Sequence, residues 1–305
     1  MPRKINQKMV KLNFVFLPFL IVLIFVVVTL TTLRWVLDVK LGVVVVNKFT
    51  LDFHIPAIVT VISVLVFMRK RLKVLDFKKC YLSGGYMMFF MMIAILFPAC
   101  FSQKIVSSAP YDLIEFNKVD SISSVDRQKF FRFSQYIVEP KKAVYGIDYK
   151  VSSNRNNDLT MGLYIAVPFQ SKVNAWYGLS FYKKISNHLN DKEKKSERDI
   201  FIHEIEKKYS KHDFYNKTYF ELLPASNERD GLKSIINQAN PDRKGLPVYI
   251  LRPHENEFNN KDSGTIKDLF WSTVMSILII YLLLIKPKVS FQYLSKIRSK
   301  NSQVS

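Results

Sequence analysis

Apolar residues gather in four blocks, residues 12–33, 53–68, 86–102 and 269–285, and between them the chain turns polar. A helix rises about 1.5 Å per residue, so roughly 17–25 apolar residues cross the hydrocarbon core of a bilayer. Blocks one, three and four meet that length and predict membrane helices. The second is the shortest and contains His54 and Pro56. It spans only if its helix starts near Phe49, which puts Asp52 and His54 at the outer interface; the alternative is an interfacial or re-entrant segment. Block one exceeds the length of a signal-peptide core, about 7–15 residues, and no small-residue cleavage site follows it, so it reads as an uncleaved anchor.

The remaining pattern has shorter periods. The loop 34–52 carries the β-branched run Val43-Val44-Val45-Val46, too short to span. Strand-like stretches are predicted at 130–138, 143–152, 159–169, 175–186 and 247–251, with turns at Glu139-Pro140-Lys141-Lys142 and Asn154-Arg155-Asn156-Asn157. Met161, Leu163, Ile165 and Val167 share one face of the third. Two helices are expected. One covers 191–211, capped by Asn190 with Glu193 three positions on and striped by Phe201, Ile205 and Tyr209. The other covers 227–239. The fold class is therefore α+β: four transmembrane helices and an external domain of antiparallel sheet with two or three helices. Its divisions are a three-helix membrane region at 1–103, an extracytoplasmic domain at 104–265, and a fourth membrane helix with basic tail at 266–305.

Charge fixes the expected orientation. The net charge is +20, and the bases cluster beside particular blocks. Arg3, Lys4, Lys8 and Lys11 precede the first. Arg69, Lys70, Arg71, Lys73, Lys78 and Lys79 follow the second, and Lys286, Lys288, Lys296, Arg298 and Lys300 follow the fourth, against a single acid, Asp76. Flanking Lys and Arg stay cytoplasmic. Both termini are thus expected inside and 104–268 outside, with anionic lipid touching some of the basic residues. This placement argues against nucleic acid as the partner, although the charge alone would suggest it. Cys80 and Cys100 fall at opposite ends of the third helix, too far apart for a disulfide.

Candidate chemistry is sparse. Gly178-Leu179-Ser180-Phe181 begins like a hydrolase elbow but lacks the closing glycine. His203-Glu204-Ile205-Glu206-Lys207 has lysine where a zinc-protease helix needs its second histidine. Met87, Met88, Met91 and Met92 are soft donors at helical spacing, yet equally apolar filler. The centres of the apolar blocks contain no ionisable residue, which argues against a transport path. Asn216-Lys217-Thr218 is a glycosylation sequon, relevant only in a host with that machinery. No metal or cofactor is expected.

Several short stretches carry a family likeness. They are Leu51-Asp52-Phe53-His54-Ile55-Pro56, Met68-Arg69-Lys70-Arg71-Leu72-Lys73, Ala175-Trp176-Tyr177-Gly178, Ile185-Ser186-Asn187-His188-Leu189, Arg229-Asp230-Gly231 and the proline-bearing strand at 248–253. Together, over about residues 12 to 288, the chain resembles the N-terminal extension that precedes the catalytic core in some bacterial rhomboid-family intramembrane serine proteases. That core would begin after the fourth helix, where this chain runs only to Ser305, and no membrane block holds the G-x-S-G serine with a second-helix histidine. The resemblance therefore carries over no catalytic residue. It implies a bacterial envelope setting, in the cytoplasmic membrane. The expected function is that of a non-enzymatic multi-pass protein presenting its external domain to an envelope protein or ligand. The alternative is an accessory or regulatory module of a rhomboid-type protease. Trp176, Tyr177, His188, Arg229 and Asp230 form the candidate interaction surface.

Overall fold

A computed structural model describes residues 7–41, 46–77, 83–125, 128–151, 158–243 and 245–290. The chain forms two compact units, one from Met1–Pro110 with Asp262–Ser305 and the other Tyr111–Lys261.

The first unit is helical. Helices α1 (Gln7–Lys40), α2 (Thr50–Leu72) and α3 (Gly84–Val106) come from before the second unit, and α6 (Ser263–Ile285) from after it. All four are long and apolar enough to cross a membrane. Their seam is regular: Val15, Phe19, Val22, Leu23, Val26 and Leu30 of α1 meet Val64 and Met68 of α2, Met87, Met91 and Ile95 of α3, and Ile280 and Leu284 of α6. The opposite faces expose Ile21, Ile24, Phe25, Ile58, Val66 and Phe89. Water would penalise such a surface and lipid does not. Leu75–Asp76 (β1) then pairs antiparallel with Lys288–Val289 (β9). Val10 packs on Val74 and Val289, and Lys11 donates to the Ile285 carbonyl at 2.8 Å. The start of α1 and the ends of α2 and α6 therefore share one end of the bundle.

The other end is held by charge. Arg34 of α1 donates to Asp52 of α2 at 2.6 Å and to the Gln103 carbonyl of α3 at 3.0 Å, all three buried. Sequence reading leaves 34–52 as loop. Instead α1 continues to Lys40, and both ion-pair partners border wide turns with i→i+5 hydrogen bonding, at Trp35–Lys40 and Thr50–His54. The second block becomes a full-length helix by recruiting residues from Thr50 onward. Val43, Val44 and Val45 lie outside the described residues, as do Lys78, Lys79, Cys80 and the predicted turn at Asn154–Asn157.

The second unit is a seven-stranded sheet between two helices. Its strands are β2 (Leu113–Phe116), β3 (Phe130–Phe133), β4 (Val144–Val151), β5 (Asp158–Pro168), β6 (Ala175–Ser186), β7 (Tyr219–Leu222) and β8 (Tyr249–His254), in spatial order β2-β3-β7-β8-β6-β5-β4. The sequence predicts an antiparallel sheet, and β4-β5-β6 do form an antiparallel meander. The whole sheet is nevertheless mixed, because β6 runs parallel to β8 and β2 to β3. A crossover through both helices separates β6 from β8 in the chain, and that route returns the strand in the same direction. The expected strand 130–138 closes early at Phe133, leaving Val138 as a single bridge to Phe169.

Helix α4 (Asp191–Ser210) lies on one face. Asn190 accepts from the Glu193 amide and the Glu193 carboxylate accepts from the Asn190 amide, both at 2.9 Å, forming the expected capping box. Phe201 and Ile205 are buried against Met161, Leu163, Ile165 and Val167. Helix α5 (Asn227–Ala239) covers the other face with Leu232 and Ile236 against Tyr164, Trp176 and Ile250. It comes very close. A Cβ on Gly231 would lie 2.6 Å from the Tyr164 ring, and one on Gly146 would lie 2.5 Å from Ile235.

Two substitutions test these contacts. In an exposed helix Gly→Ala gains about 1 kcal/mol. Gly231→Ala should instead lose about 1–3 kcal/mol through overpacking, read as a lower denaturation midpoint, while the exposed Ser234→Ala on the same helix should not. In the helical unit, Arg34→Met leaves the buried Asp52 without its cation and should cost about 3–5 kcal/mol, whereas Asp52→Leu leaves Arg34 its second carboxylate, Asp38 at 3.5 Å, and should cost less. The double variant should melt above either single one in mild detergent; equal losses would show that the pair does not act as a unit.

Candidate functional site

The two helices treat the sheet differently, and the difference makes a site. Over β4 and β5, α4 stands off and leaves a cavity of about 260 Å³. Ala143, Tyr145, Leu163 and Ile165 line its sheet side. From the helix come Ile202 and Ile205, with Glu206 and Tyr209 as its polar members. The Tyr209 hydroxyl donates to the Pro140 carbonyl at 3.2 Å, and Glu206 pairs at 3.8 Å with an exposed His203. Tyr145 is 74% exposed. β4 is also a terminal strand of the sheet.

On the opposite face a chain of charges runs across β6, α5, β8 and β7. Ser180 donates to Glu228 at 2.6 Å, and Glu228 also pairs with Arg252. Arg252 reaches Glu221 at 3.3 Å, and Lys129 and His254 approach the same buried carboxylate at 3.2 and 3.4 Å. His254 stacks on Tyr219, centroids 4.6 Å apart. Each acid here meets a base, which is what a carboxylate buried in a sheet requires. Nothing in the sequence signals this network, because its members lie far apart in the chain and carry no motif. Ser180 thus bonds a carboxylate, not an imidazole.

The sequence-predicted surface residues are scattered. Trp176 is buried under α5, its Nε1–H donating to Asn174 at 2.7 Å, on the side where Arg229 and Asp230 begin that helix. Tyr177 points through the other face, fully buried. His188 lies exposed in the turn before α4. Arg69, Lys70, Arg71 and Lys73 are exposed at the end of α2. Met87 and Met91 are core side chains of the helical unit, with Met88 and Met92 at its margin. Among the described residues, no three His, Cys, Asp or Glu side chains gather as a metal site.

Comparison with protein-family models, with curated proteins and with solved structures gives no match.

The buried pair Tyr177–His212 has a pH consequence. Burial raises the Tyr177 hydroxyl, which therefore stays protonated. Burial, then the nearby Lys217, lowers the His212 imidazole below its ordinary 6.5. The phenol oxygen and the imidazole Nε2 lie 2.7 Å apart, within hydrogen-bond distance. A depressed folded pKa means that the unfolded chain takes up the proton first, so stability present above about pH 6.5 is lost as pH falls through the folded value. Melting temperature should drop on acidification from pH 7 to 5. His212→Gln should flatten that slope, whereas an unchanged slope would place the sensitivity elsewhere.

Proposed function

We propose that this chain is a non-enzymatic multi-pass protein of a bacterial cytoplasmic membrane that holds Tyr111–Lys261 outside as a binding module for another envelope protein. One observation carries the reading. Lys8 and Lys11, then Arg69, Lys70, Arg71 and Lys73, then Lys286 and Lys288 all adjoin the end of the bundle joined by β1, β9 and the Lys11–Ile285 contact. Positive charge of this density marks the cytoplasmic side. The segments leading to and from the second unit, at Ser108 and Asp262, hydrogen-bond to each other, and they follow α3 and precede α6. These two observations support an external position for the module. A rhomboid-type protease is the partner that the sequence resemblance would supply.

Topology is testable in intact cells. On a background lacking Cys80 and Cys100, single cysteines at Lys118 or Lys261 should react with a membrane-impermeant thiol reagent. Cysteines at Lys8 or Lys73 should react only after permeabilisation. External labelling at Lys73 would overturn the arrangement.

A further inference from the structure

Among the described residues no strand pairs with the outer edge of β4, and the strand is regular. All eight residues of the strand pair with β5 without a skip, from Val144 opposite Ala166 to Val151 opposite Leu159, so no bulge bends it away. It contains no proline. Proteins normally blunt such an edge with proline, lysine, a bulge or brevity, because its free amides and carbonyls invite another strand. Here the only charged pair, Asp148 and Lys150, sits 3.6 Å apart and points to the α5 face. The α4 face of β4 shows Tyr145, 74% exposed, Ile147, and Tyr149, 45% exposed. The sheet's other edge, β2, is only four residues long.

The cavity under α4 adjoins this edge, because Ala143 and Tyr145 belong to its wall. At about 260 Å³ it lies below the range of roughly 300–1,000 Å³ typical of small-molecule sites. That size suits one or two aliphatic or aromatic side chains. Its charged member is Glu206, largely exposed.

We infer that β4 receives an extended segment of an envelope protein as an added strand, with one apolar side chain of that segment buried in the cavity and a basic side chain beside Glu206. Main-chain hydrogen bonds supply affinity in this mode, and a pocket for alternate side chains supplies specificity. The inference rests on the binding-module reading and names the surface and the chemistry of its partner. A β4 strand from a second copy would bring no base of its own to Glu206, and Arg198, which reaches Tyr149 from α4, is held by Asp199. On the face shared with Glu206, β4 itself offers Tyr145, Ile147 and Tyr149 and no base. Its one lysine points to the other face.

A photoreactive benzoylphenylalanine, placed in the full chain at position 145, 147 or 149 in turn, reads this in native membranes. The expected adducts fall within one short segment of a partner and shift by two residues per step, the register of a paired strand. That segment should carry Lys or Arg two residues from an apolar one. Ile202→Trp or Ala143→Leu, each filling the cavity from a different wall, should lower adduct yield about tenfold, the loss of one buried aliphatic anchor. The variant used must keep the parent melting temperature, and two are named so that one folding failure does not end the test. Adducts without the two-residue shift, adducts indifferent to both variants, or adducts to β4 of a second copy overturn the inference. Adducts from a control probe at Tyr215 but none from β4 overturn the edge and leave the module intact. None at any of the four positions overturns the module as well.

Discussion

The helical unit depends on the spacing between two cations in α1. Lys11 donates to the last carbonyl of α6, and Arg34 pairs with Asp52 and the Gln103 carbonyl. At about 1.5 Å per residue they stand roughly 35 Å apart, just beyond a hydrocarbon core of about 30 Å. Between them the helices meet mainly through apolar side chains; of the buried hydroxyls there, Ser276 donates within its own helix and Thr60 has no hydrogen-bond partner among the described residues. In lipid such packing has little hydrophobic drive, since hydrocarbon tails solvate the same groups equally well. Register and helix order must then come from polar contacts at the ends. Arg34 has the geometry for this, joining two other helices through one nitrogen, Nη1. The wide turns beside Arg34 and Asp52 move their side chains toward each other at the cost of regular helix geometry.

The second unit follows a different constraint, the size of the side chains under each helix. α5 sits close because Gly146, Gly178 and Gly231 remove the Cβ atoms that would hold it off. The charge network through Glu228, Arg252 and Glu221 then ties the start of that helix across two strands. α4 rests on Leu163 and Ile165, with no glycine at that contact, and a lysine- and glutamate-rich surface covers its outer side. One face of the sheet is thus closed and the other keeps a cavity. The asymmetry comes from the residues, since both helices have capped starts and similar buried stripes.

Local signals in the sequence were legible where they repeat within a few residues. The capping box at Asn190, the stripe Phe201–Ile205, the β5 face through Met161 and Val167, and α5 at Asn227–Ala239 all depend on neighbours three, four or two positions away. What escaped depends on distant pairing. β2 and β7 have four residues each, too few to show a period, and the parallel contact of β6 with β8 is set by the intervening crossover. Arg34 looked like a loop charge because an apolar scan ends a helix at its first ion, whereas the start near Phe49 that a full span of the second block requires already placed Asp52 in a helix. Trp176 and Tyr177 do not share one surface for a simpler reason: adjacent strand residues point to opposite faces, and both side chains are buried.

That last point bears on where recognition can occur. The conspicuous polar side chains of the second unit are already engaged. Ser180 is bonded to Glu228, Glu221 is surrounded by Lys129, Arg252 and His254, and His212 is bonded to Tyr177. Recruiting any of them for a ligand would break an existing buried contact and leave its partner unsatisfied, at about 1–3 kcal/mol each. The backbone of an edge strand carries no such penalty, because half of its amides and carbonyls face away from β5 in any antiparallel ladder. Binding there exchanges water for a strand while the core stays as it is. A sheet whose charges are spent internally is therefore suited to recognise a partner through its main chain, with the α4 cavity selecting among segments by a single side chain.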